Sequence, residues 1–416
     1  MTRNPIDPLF WNETDLRKEL DRINDICHGC RLCFNLCPSF PALFKYVDEN
    51  DGEAGKLNAR QIAEITDLCY QCKLCYVKCP YTPPHQYDLD FPRLMLREKA
   101  VRVKREGVSL QDRFLGNPDR TGRMGCRMAP LSNLANSSPI FRVVMEKTVG
   151  VHRDRNLPEF QPILFEEWFR NRPRPLRSEK KVAFFYTCFV NYHEPDPGVA
   201  TVEVLEKNGY EVIAPEQVCC GMPFLDGGEI GKAAGNMEQN IRSFKPFVEA
   251  GIPIVSLGPT CSYVLKNEQH FITQNPDAAA MGKATKDVCE FLVELKNRRE
   301  LNTEFKNIEP AKIAYQIPCH LKAQNMGYKS MDLLRVIPNM KVELMENCSA
   351  MDGTWGMKKQ YFERSLKVAG KLFREVNQAQ ADHVCTDCPL SGMQIDYGTK
   401  RKPVHPVQIL HRAYGL

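Results

Sequence analysis

The chain has 416 residues, a formal net charge of +5 and 18 cysteines. This length accommodates two or three domains of roughly 150 residues each, and the modest charge does not indicate a nucleic-acid partner. We find no signal peptide and no apolar run near the ~20 residues of a membrane span, which argues against a secreted disulfide scaffold and an integral membrane protein. The thiols are therefore expected to be reduced and mostly bound to metal.

Two near-identical cysteine runs lie in residues 27–38 and 69–80, and each follows the pattern C-x2-C-x2-C-x3-C-P. This run holds the two 4Fe–4S clusters of bacterial ferredoxins, in which the fourth cysteine binds the other cluster. The spacing therefore predicts one cluster on Cys27, Cys30, Cys33 and Cys79, and a second on Cys69, Cys72, Cys75 and Cys37. Zinc knuckles or disulfides are the alternative, but zinc sites usually pair two short C-x2-C units.

The cysteine runs lie in a region that we predict to be helical. Residues 16–26 read as a helix that starts near residues 12–15, and residues 57–68 between the two runs read as another. Few β-branched runs interrupt these residues. We therefore expect residues 1–95 to form an α-helical ferredoxin-like domain.

A basic connector is predicted over residues 96–180, with the proline-containing segment Arg172-Pro173-Arg174-Pro175 near its end. Residues 94–105 alternate apolar side chains with Arg and Lys, and residues 124–149 add moderately apolar stretches. One reading is an interfacial helix on anionic lipid near a quinone pool. The favoured reading is a solvated helix face or a docking surface for a partner subunit.

From Lys181 onwards, short β-rich runs alternate with helical segments, which is typical of an α/β fold. The six runs cover residues 182–186, 211–214, 252–257, 312–317, 342–345 and 383–386. Cys319, Cys348 and Cys388 follow Cys188, Cys219 and Cys261 at a nearly constant spacing. This repeat predicts two duplicated lobes, residues 181–300 and 301–416. Each cysteine follows a strand, and ligands of open α/β sheets bind at the carboxyl ends of strands.

The order Cys188, Cys219-Cys220-Gly221, Cys261 resembles the cysteine-rich CCG domain. That domain occurs in heterodisulfide reductase subunits, glycolate oxidase iron–sulfur subunits and the C subunit of anaerobic glycerol-3-phosphate dehydrogenase, and the pattern is nearest to the last of these. Further matching segments are residues 186–192, 218–223, Thr260-Cys261 with Glu268, 318–320, 353–356 and 386–388. The resemblance covers nearly the whole chain and implies an electron-transfer subunit.

Both lobes depart from the five-thiolate CCG pattern, which in this family binds a non-cubane 4Fe–4S cluster. In lobe one Val264 replaces the last cysteine, which leaves Cys188, Cys219, Cys220 and Cys261. In lobe two Ser349 and Ser391 replace two cysteines, and an added Cys385 completes the set Cys319, Cys348, Cys385 and Cys388. Four thiolates suffice for a cubane or for zinc. The alternative for lobe two is a degenerate copy with idle, buried thiols.

The remaining candidates carry weaker signals. Cys289 lies in an apolar helical stripe and is expected in the core, and Cys126 has no partner motif. His193 and His320 follow lobe cysteines and either line the crevices or are hydrogen-bonded loop residues. Gly227-Gly228 lacks the context of a dinucleotide site, so hydride chemistry is expected on a partner.

These features predict an iron–sulfur subunit that carries electrons from a flavoprotein dehydrogenase, through two 4Fe–4S clusters and the CCG sites, to an acceptor such as quinone. No catalytic residue is assigned to the chain itself. The alternative is a heterodisulfide reductase-like module that reduces a disulfide, which the missing fifth thiolates disfavour. A third class of function is an iron–sulfur protein that supplies electrons to a partner in oxidative-stress defence. The expected location is cytoplasmic, or peripheral on the inner face of the cytoplasmic membrane.

Overall fold

The structure, a computed structural model, describes residues 2–173, 178–306 and 309–416. Helices account for the chain up to residue 173, and two parallel sheets with flanking helices account for the rest. Arg174 and Pro175 of the predicted proline-containing segment lie outside the described residues. No described helix has the length and apolar character needed to cross a membrane.

The N-terminal region is helical around a single apolar core, as the sequence predicts. Its helices are α1 (Glu13–Cys30), α2 (Ser39–Asp48), α3 (Ala59–Asp67), α4 (Leu74–Lys78) and α5 (Phe91–Glu106). The helices predicted over residues 16–26 and 57–68 are confirmed as α1 and α3. Asn12 caps α1 by accepting from the Asp15 N–H, and Asn58 forms a capping box with Gln61 at α3.

Helix α5 corrects the prediction of a surface helix over residues 94–105. Leu94 and Val101 pack in the N-terminal core, whereas Leu96 and Ala100 pack in the core of the next α/β unit. Arg97 is only 3% exposed and donates from Nε to the Phe10 carbonyl at 2.7 Å. The helix therefore joins two cores, and its buried Arg97 bonds to the backbone of the N-terminal segment, whereas Lys104 and Arg105 at its end are exposed.

The connector is a series of short helices: α6 (Leu110–Leu115), α7 (Pro118–Arg127), α8 (Ala129–Ser137), α9 (Pro139–Thr148) and α10 (Phe165–Asn171). Within the connector, Arg142 of α9 holds the segment that follows this helix by donating to the carbonyls of His152, Arg153 and Arg155. The His152 ring stacks on Phe362 with centroids 3.7 Å apart. The connector therefore packs on the C-terminal part of the chain.

Helices α7–α9 carry exposed apolar side chains, here called the apolar face: Met124, Met128, Leu131, Leu134, Ile140, Phe141 and Val144. Ile140 is 79% exposed and Leu134 is 68% exposed. Across residues 110–149, which also include α6, the cations Arg113, Arg120, Arg123, Arg127 and Lys147 are exposed, while none of the three acidic residues is. A surface of this kind is typical of a binding face.

Lobe one is a four-stranded parallel sheet in the order β2-β1-β3-β4. Its strands are β1 (Lys181–Phe185), β2 (Glu211–Ile213), β3 (Ile254–Ser256) and β4 (Thr285–Asp287). Its helices are α11 (Cys188–Tyr192), α12 (Asp196–Lys207), α13 (Met222–Asp226), α14 (Ile230–Glu249), α15 (Pro259–Tyr263), α16 (Gln269–Thr273), α17 (Pro276–Ala284) and α18 (Val288–Asn297). The first three strands were predicted. The short polar β4 was not, because it lacks an apolar pattern.

Lobe two is a three-stranded parallel sheet in the order β6-β5-β7. Its strands are β5 (Ala311–Gln316), β6 (Met340–Met345) and β7 (His383–Thr386), as predicted to within a few residues. Its helices are α19 (Cys319–Ala323), α20 (Lys329–Leu334), α21 (Phe362–Gln378), α22 (Pro389–Thr399) and α23 (Pro406–Tyr414). Strands β1 and β5 are equivalent, and one apolar core contains Phe184 and Leu292 from lobe one with Tyr315 and Leu410 from lobe two.

Candidate metal centres

The first-run site is the set of Cys27, Cys30, Cys33 and Cys79, which the fold brings together. Cys27 and Cys30 lie in the last turn of α1, and Cys79 follows α4. Arg31 has a left-handed backbone (φ 53°) that ends α1 and turns the chain toward Cys33. Burial, followed by the neighbouring thiols of Cys33, Cys79 and Cys30, raises the pKa of Cys27.

The second-run site is the set of Cys37, Cys69, Cys72 and Cys75. Burial, followed by the thiols of Cys72, Cys69 and Cys37, raises the pKa of Cys75. Gln71, in a left-handed conformation (φ 53°), donates from Nε2 to the Cys69 sulfur at 3.6 Å. The structure thus places Cys79 with the first run and Cys37 with the second, in the crossed arrangement that the sequence predicts.

Both sites suit a metal cofactor because each places several buried thiols close together. Without a bound cation, burial and mutual repulsion oppose the ionisation of these thiols. Burial and the neighbouring Cys79 raise the pKa of Cys33 to about 11, and burial raises the pKa of Cys69 to about 11. A bound metal cation lowers the pKa of these thiols again, since cysteine binds iron and zinc as the deprotonated thiolate. Donor sets made only of thiolates fit iron–sulfur clusters.

The lobe-one site consists of Cys188, Cys219, Cys220 and Cys261, which lie beyond the carboxyl ends of β1, β2 and β3. The sulfurs of Cys220 and Cys261 are 3.5 Å apart. Hydrogen bonds from Cys219, and then from Cys261, lower the pKa of Cys220, while bonds with Cys188 and Cys220 raise that of Cys219. All four thiols predicted for lobe one therefore converge, and Cys220 is the most readily ionised of the coupled thiols.

Several contacts hold the Cys219-Cys220 loop in place. The Asn240 side chain bonds both the N–H and the carbonyl of Val218 at 3.0 Å, and Asp119 of the connector accepts from the Cys219 N–H at 2.8 Å. Gly221 has φ 97°, and a Cβ there would lie 3.2 Å from the Ala233 carbonyl oxygen. Glycine is therefore required at this turn.

Lobe two brings together three thiols, here called the lobe-two thiols: Cys319, Cys348 and Cys388. Burial and then the charges of Cys72, Asp352, Cys348 and Cys388 raise the pKa of Cys319. Cys385 is not among them. It lies in β7, is 0% exposed and packs in the core shared by the two lobes.

The prediction of a four-thiol set that includes Cys385 is thus corrected to three thiols. Side chains of a strand alternate between the two faces of the sheet, and the side chain of Cys385 is on the face that packs in the apolar core. Cys388 follows the end of β7 and therefore lies at the crevice. Among the described residues, the charges that affect the Cys385 thiol are those of Asp387 and Arg412.

The serines that replace cysteines in lobe two meet each other. Ser349 and Ser391 form a hydrogen bond of 2.9 Å between their hydroxyl oxygens, and both are buried. In lobe one the corresponding last position, Val264, is 0% exposed in the apolar core. Neither lobe therefore offers the fifth thiolate of the CCG pattern.

The four groups of thiols are neighbours in succession. The charge of Cys33 in the first-run site contributes to the raised pKa of Cys75 in the second-run site. In the same way, the charge of Cys72 contributes to the raised pKa of Cys319, and the charge of Cys388 contributes to the raised pKa of Cys261 in the lobe-one site. The thiols thus form a continuous series from the N-terminal region to lobe one.

The two candidate histidines have different surroundings. His320 is 4% exposed and bonds to the backbone carbonyl of Gln71 and to Thr260. His193 bonds through Nδ1 to the Glu159 carbonyl in the connector. Only His320 therefore joins segments that carry candidate ligands.

Cys289 is buried, as predicted, and Cys126, for which no burial was predicted, is buried as well. Cys126 donates its S–H to the Tyr192 carbonyl at 3.3 Å. Cys289 lies in a polar pocket that the sequence did not predict: its thiol and a carboxylate oxygen of each of Asp287 and Asp387 lie within 4.8 Å of one another. Burial, and then the charge of Asp387, raises the pKa of Asp287.

A buried ion pair beside the second-run site also escaped the sequence analysis. Lys73 Nζ lies 3.4 Å from Glu268 Oε1, and Arg93 lies 4.0 Å from the same oxygen. Burial opposes ionisation of Glu268, yet the charges of Lys73 and Arg93 prevail and lower its pKa. Lys73 lies between Cys72 and Cys75, and Glu268 is among the residues that match the CCG pattern, but nothing in the sequence pairs the two.

A cavity of about 90 Å³ opens between the lobes at the carboxyl ends of β1, β3 and β7. Thr187, Gly258, Cys388 and His405 are among the residues that line it. It therefore gives a small molecule a route toward one of the lobe-two thiols.

Comparison with known families agrees with this arrangement. Residues 182–266 and 313–396 match the cysteine-rich domain CCG, and residues 20–106 match the Fer4-like domain of citrate utilization protein B. The two CCG matches cover the two lobes, and the Fer4-like match contains both cysteine runs.

Three curated relatives are similar to most of the chain or to more than half of it. The C subunit of the anaerobic glycerol-3-phosphate dehydrogenase of Escherichia coli is 29% identical over 73% of this chain and 77% of its own. Lactate utilization protein A of Oceanobacillus iheyensis is 27% identical over 57% of this chain and 99% of its own. A probable glycolate oxidase iron–sulfur subunit of Bacillus subtilis is 24% identical over 96% of this chain and 84% of its own. The chain therefore belongs to the CCG-domain family of iron–sulfur proteins.

Proposed function

We propose that the chain is an electron-transfer subunit, which receives electrons from a partner flavoprotein dehydrogenase and passes them to an acceptor such as quinone. The succession of the thiol groups carries the proposal, because each lies within electrostatic reach of the next. A series of one-electron carriers can accept, one at a time, the two electrons that a flavoprotein partner removes from its substrate.

In this proposal the first-run and second-run sites each hold a 4Fe–4S cluster, and the lobe-one site holds a third iron–sulfur cluster. Such clusters supply reversible one-electron chemistry. The chain sets their environment through burial and through N–H donors to sulfur: Tyr81 donates to Cys79 at 3.4 Å, and Gln71 donates to Cys69 at 3.6 Å. Donors of this kind favour the more negative, reduced state of a cluster.

The partner is inferred from what the relatives' names describe and from the chain's own residues. Two relatives are named as subunits, one of a dehydrogenase and one of an oxidase. Gly227-Gly228 lies between α13 and α14 rather than after a strand, so it does not form a dinucleotide turn. The flavin chemistry is therefore assigned to a second protein.

We further propose a peripheral membrane contact through the apolar face. Its side chains are exposed on three consecutive helices, and residues 110–149 carry five exposed cations without an exposed acidic residue. Exposed apolar side chains together with exposed cations suit an anionic lipid surface. Leu134→Ser with Ile140→Ser should reduce sedimentation with phosphatidylglycerol vesicles, while Ile6→Ser, at an exposed apolar residue outside this face, should not. Equal sedimentation of both variants would contradict the contact.

The cavity beside Cys388 favours one alternative, the reduction of a small disulfide or similar molecule at the lobes. A test separates the two functions. The purified chain with reduced methyl viologen should show no sustained disulfide reduction if it is a relay. Turnover without any added protein partner would instead support the alternative.

The direct test is the iron and sulfide content of anaerobically purified chain. Two clusters of about four irons each give at least about eight irons per chain. Cys30→Ser or Cys72→Ser should each remove close to one cluster, and Cys126→Ser, at a buried thiol bonded to a carbonyl, should remove none. The unmodified chain should accept electrons from dithionite but oxidise neither glycerol-3-phosphate, lactate nor glycolate. A chain that takes up only zinc, or that oxidises one of these substrates alone, would contradict the proposal.

A further inference from the structure

One imidazole contacts segments of all three cysteine-bearing domains. His320 Nδ1 lies 2.9 Å from Thr260 Oγ1, and His320 Nε2 lies 3.2 Å from the backbone oxygen of Gln71. Gln71 lies between Cys69 and Cys72 of the second-run site. Thr260 immediately precedes Cys261 of the lobe-one site, and His320 immediately follows Cys319 of lobe two.

These two contacts fix the proton on the ring. A backbone carbonyl can only accept, so Nε2 carries the hydrogen and donates it to Gln71. Nδ1 of the neutral ring then accepts from the Thr260 hydroxyl. The His320 ring is almost completely buried. The Tyr263 ring stacks on it with centroids 5.1 Å apart, which fixes its plane.

Covalent bonds and hydrogen bonds therefore connect the second-run site to the lobe-one site without passing through a thiol of lobe two. The path runs from Cys72 to the Gln71 carbonyl, across the imidazole, and through the Thr260 hydroxyl to Cys261. His320 is only 4% exposed, so the middle of this path is shielded from solvent. Lobe two lacks the four-thiol set expected of it, yet it supplies a side chain that bridges segments of the other two sites.

We propose that His320 is a positioning residue that couples the second-run site to the lobe-one site for electron transfer. The inference rests on the proposed function. With clusters bound, Cys72 and Cys261 would hold the donor and the acceptor of one electron, and His320 would bridge their segments. No proton moves, since both hydrogen bonds of the ring are complete before and after the transfer. His320 also keeps the two ligand segments at a fixed separation.

The test follows electrons inside the reconstituted full-length chain. After rapid reduction with dithionite, freeze-quench electron paramagnetic resonance measures the rates at which the second-run and lobe-one signals appear. His320→Phe keeps the stacked ring but removes both hydrogen bonds, and Thr260→Val removes only one. His193→Phe is the matched control, because His193 bonds a carbonyl of the connector rather than a ligand segment. His320→Gln restores an amide that can donate and accept.

We expect His320→Phe and Thr260→Val to slow lobe-one reduction about tenfold, which corresponds to about 1.4 kcal/mol of barrier. The rate of second-run reduction and the iron content should not change, and His320→Gln should recover part of the rate. Unchanged lobe-one rates in both variants would overturn the inference. Where His320→Phe loses the lobe-one cluster, Thr260→Val decides.

Failure of the proposed function has a different signature. The unsubstituted chain would then show no lobe-one signal or no electron uptake, whatever residue stands at position 320. That result overturns the inference as well, whereas unchanged rates in the variants leave the relay itself intact.

Discussion

The buried ion pair beside the second-run site gives a sharp prediction for Glu268→Gln. Glu268 is 1% exposed and Lys73 is 4% exposed, with 3.4 Å between Oε1 and Nζ. Within the part of the chain that the structure describes, neither carboxylate oxygen of Glu268 has a hydrogen-bond partner. The glutamate is therefore held by charge, and its replacement by an isosteric amide leaves Lys73 as a buried cation.

Removal of one partner from a buried pair typically costs about 3–5 kcal/mol. We expect the low end, about 3 kcal/mol, because Lys73 keeps its bond to Gln71 Oε1 at 3.0 Å, and the side chain of Arg93 is partly exposed. This is a large part of a total stability of about 5–15 kcal/mol. With a urea dependence of about 1–3 kcal/mol per molar, the unfolding midpoint should fall by roughly 1 M or more.

The assay is anaerobic urea unfolding followed by circular dichroism, with Asp51→Asn as the control. Asp51 pairs with Lys56 at 3.1 Å, but both side chains are exposed, so its loss should leave the midpoint unchanged. Because the folded-state pKa of Glu268 lies below its ordinary value of 4.5, the pair stabilises the fold above that pH and is lost as pH falls through the folded value. Equal midpoints for Glu268→Gln and Asp51→Asn would refute the reasoning.

Three further predictions follow from single residues. Gly221→Ala, at φ 97° and 3.2 Å from the Ala233 oxygen, should cost about 1–3 kcal/mol and lower the iron content of lobe one, measured by cluster quantification. Cys385→Ala should leave all clusters in place, whereas Cys348→Ser should alter the spectrum of the second-run cluster; a cluster lost from Cys385→Ala would contradict the corrected lobe-two site. Burial raises the pKa of Asp226 to about 7, so its contribution to stability should fall as pH rises from about 4 through 7, and Asp226→Asn should make the urea midpoint less dependent on pH in this range.

The features that could be predicted from the sequence are those that depend on residues close together in the chain. Cysteines three residues apart stay close in any compact turn, and the capping residues Asn12 and Asn58 mark the starts of α1 and α3. Strand β1 is apolar after its first lysine, and β5 contains the apolar run Ile313-Ala314-Tyr315, so both were visible in the sequence. The lobes could be aligned because each strand is followed by a cysteine.

What the sequence could not predict depends on tertiary packing. The side of a strand on which Cys385 points is decided by the register of β7, and a shift by one residue reverses it. The partners Lys73 and Glu268 lie in different domains, and so do Gln71 and His320. Helix α5 carries many charged side chains and is largely buried, whereas α8 carries none and exposes Leu131 and Leu134, so composition alone does not separate a buried helix from an exposed one.

The central claim, a relay of iron–sulfur centres that ends in lobe one, is tested most directly by spin quantification during a redox titration of the reconstituted chain. The account predicts three separate paramagnetic centres, of which only the third disappears in Cys220→Ser and only the second in Cys72→Ser. A titration with no more than two centres, both unaffected by Cys220→Ser, would contradict it.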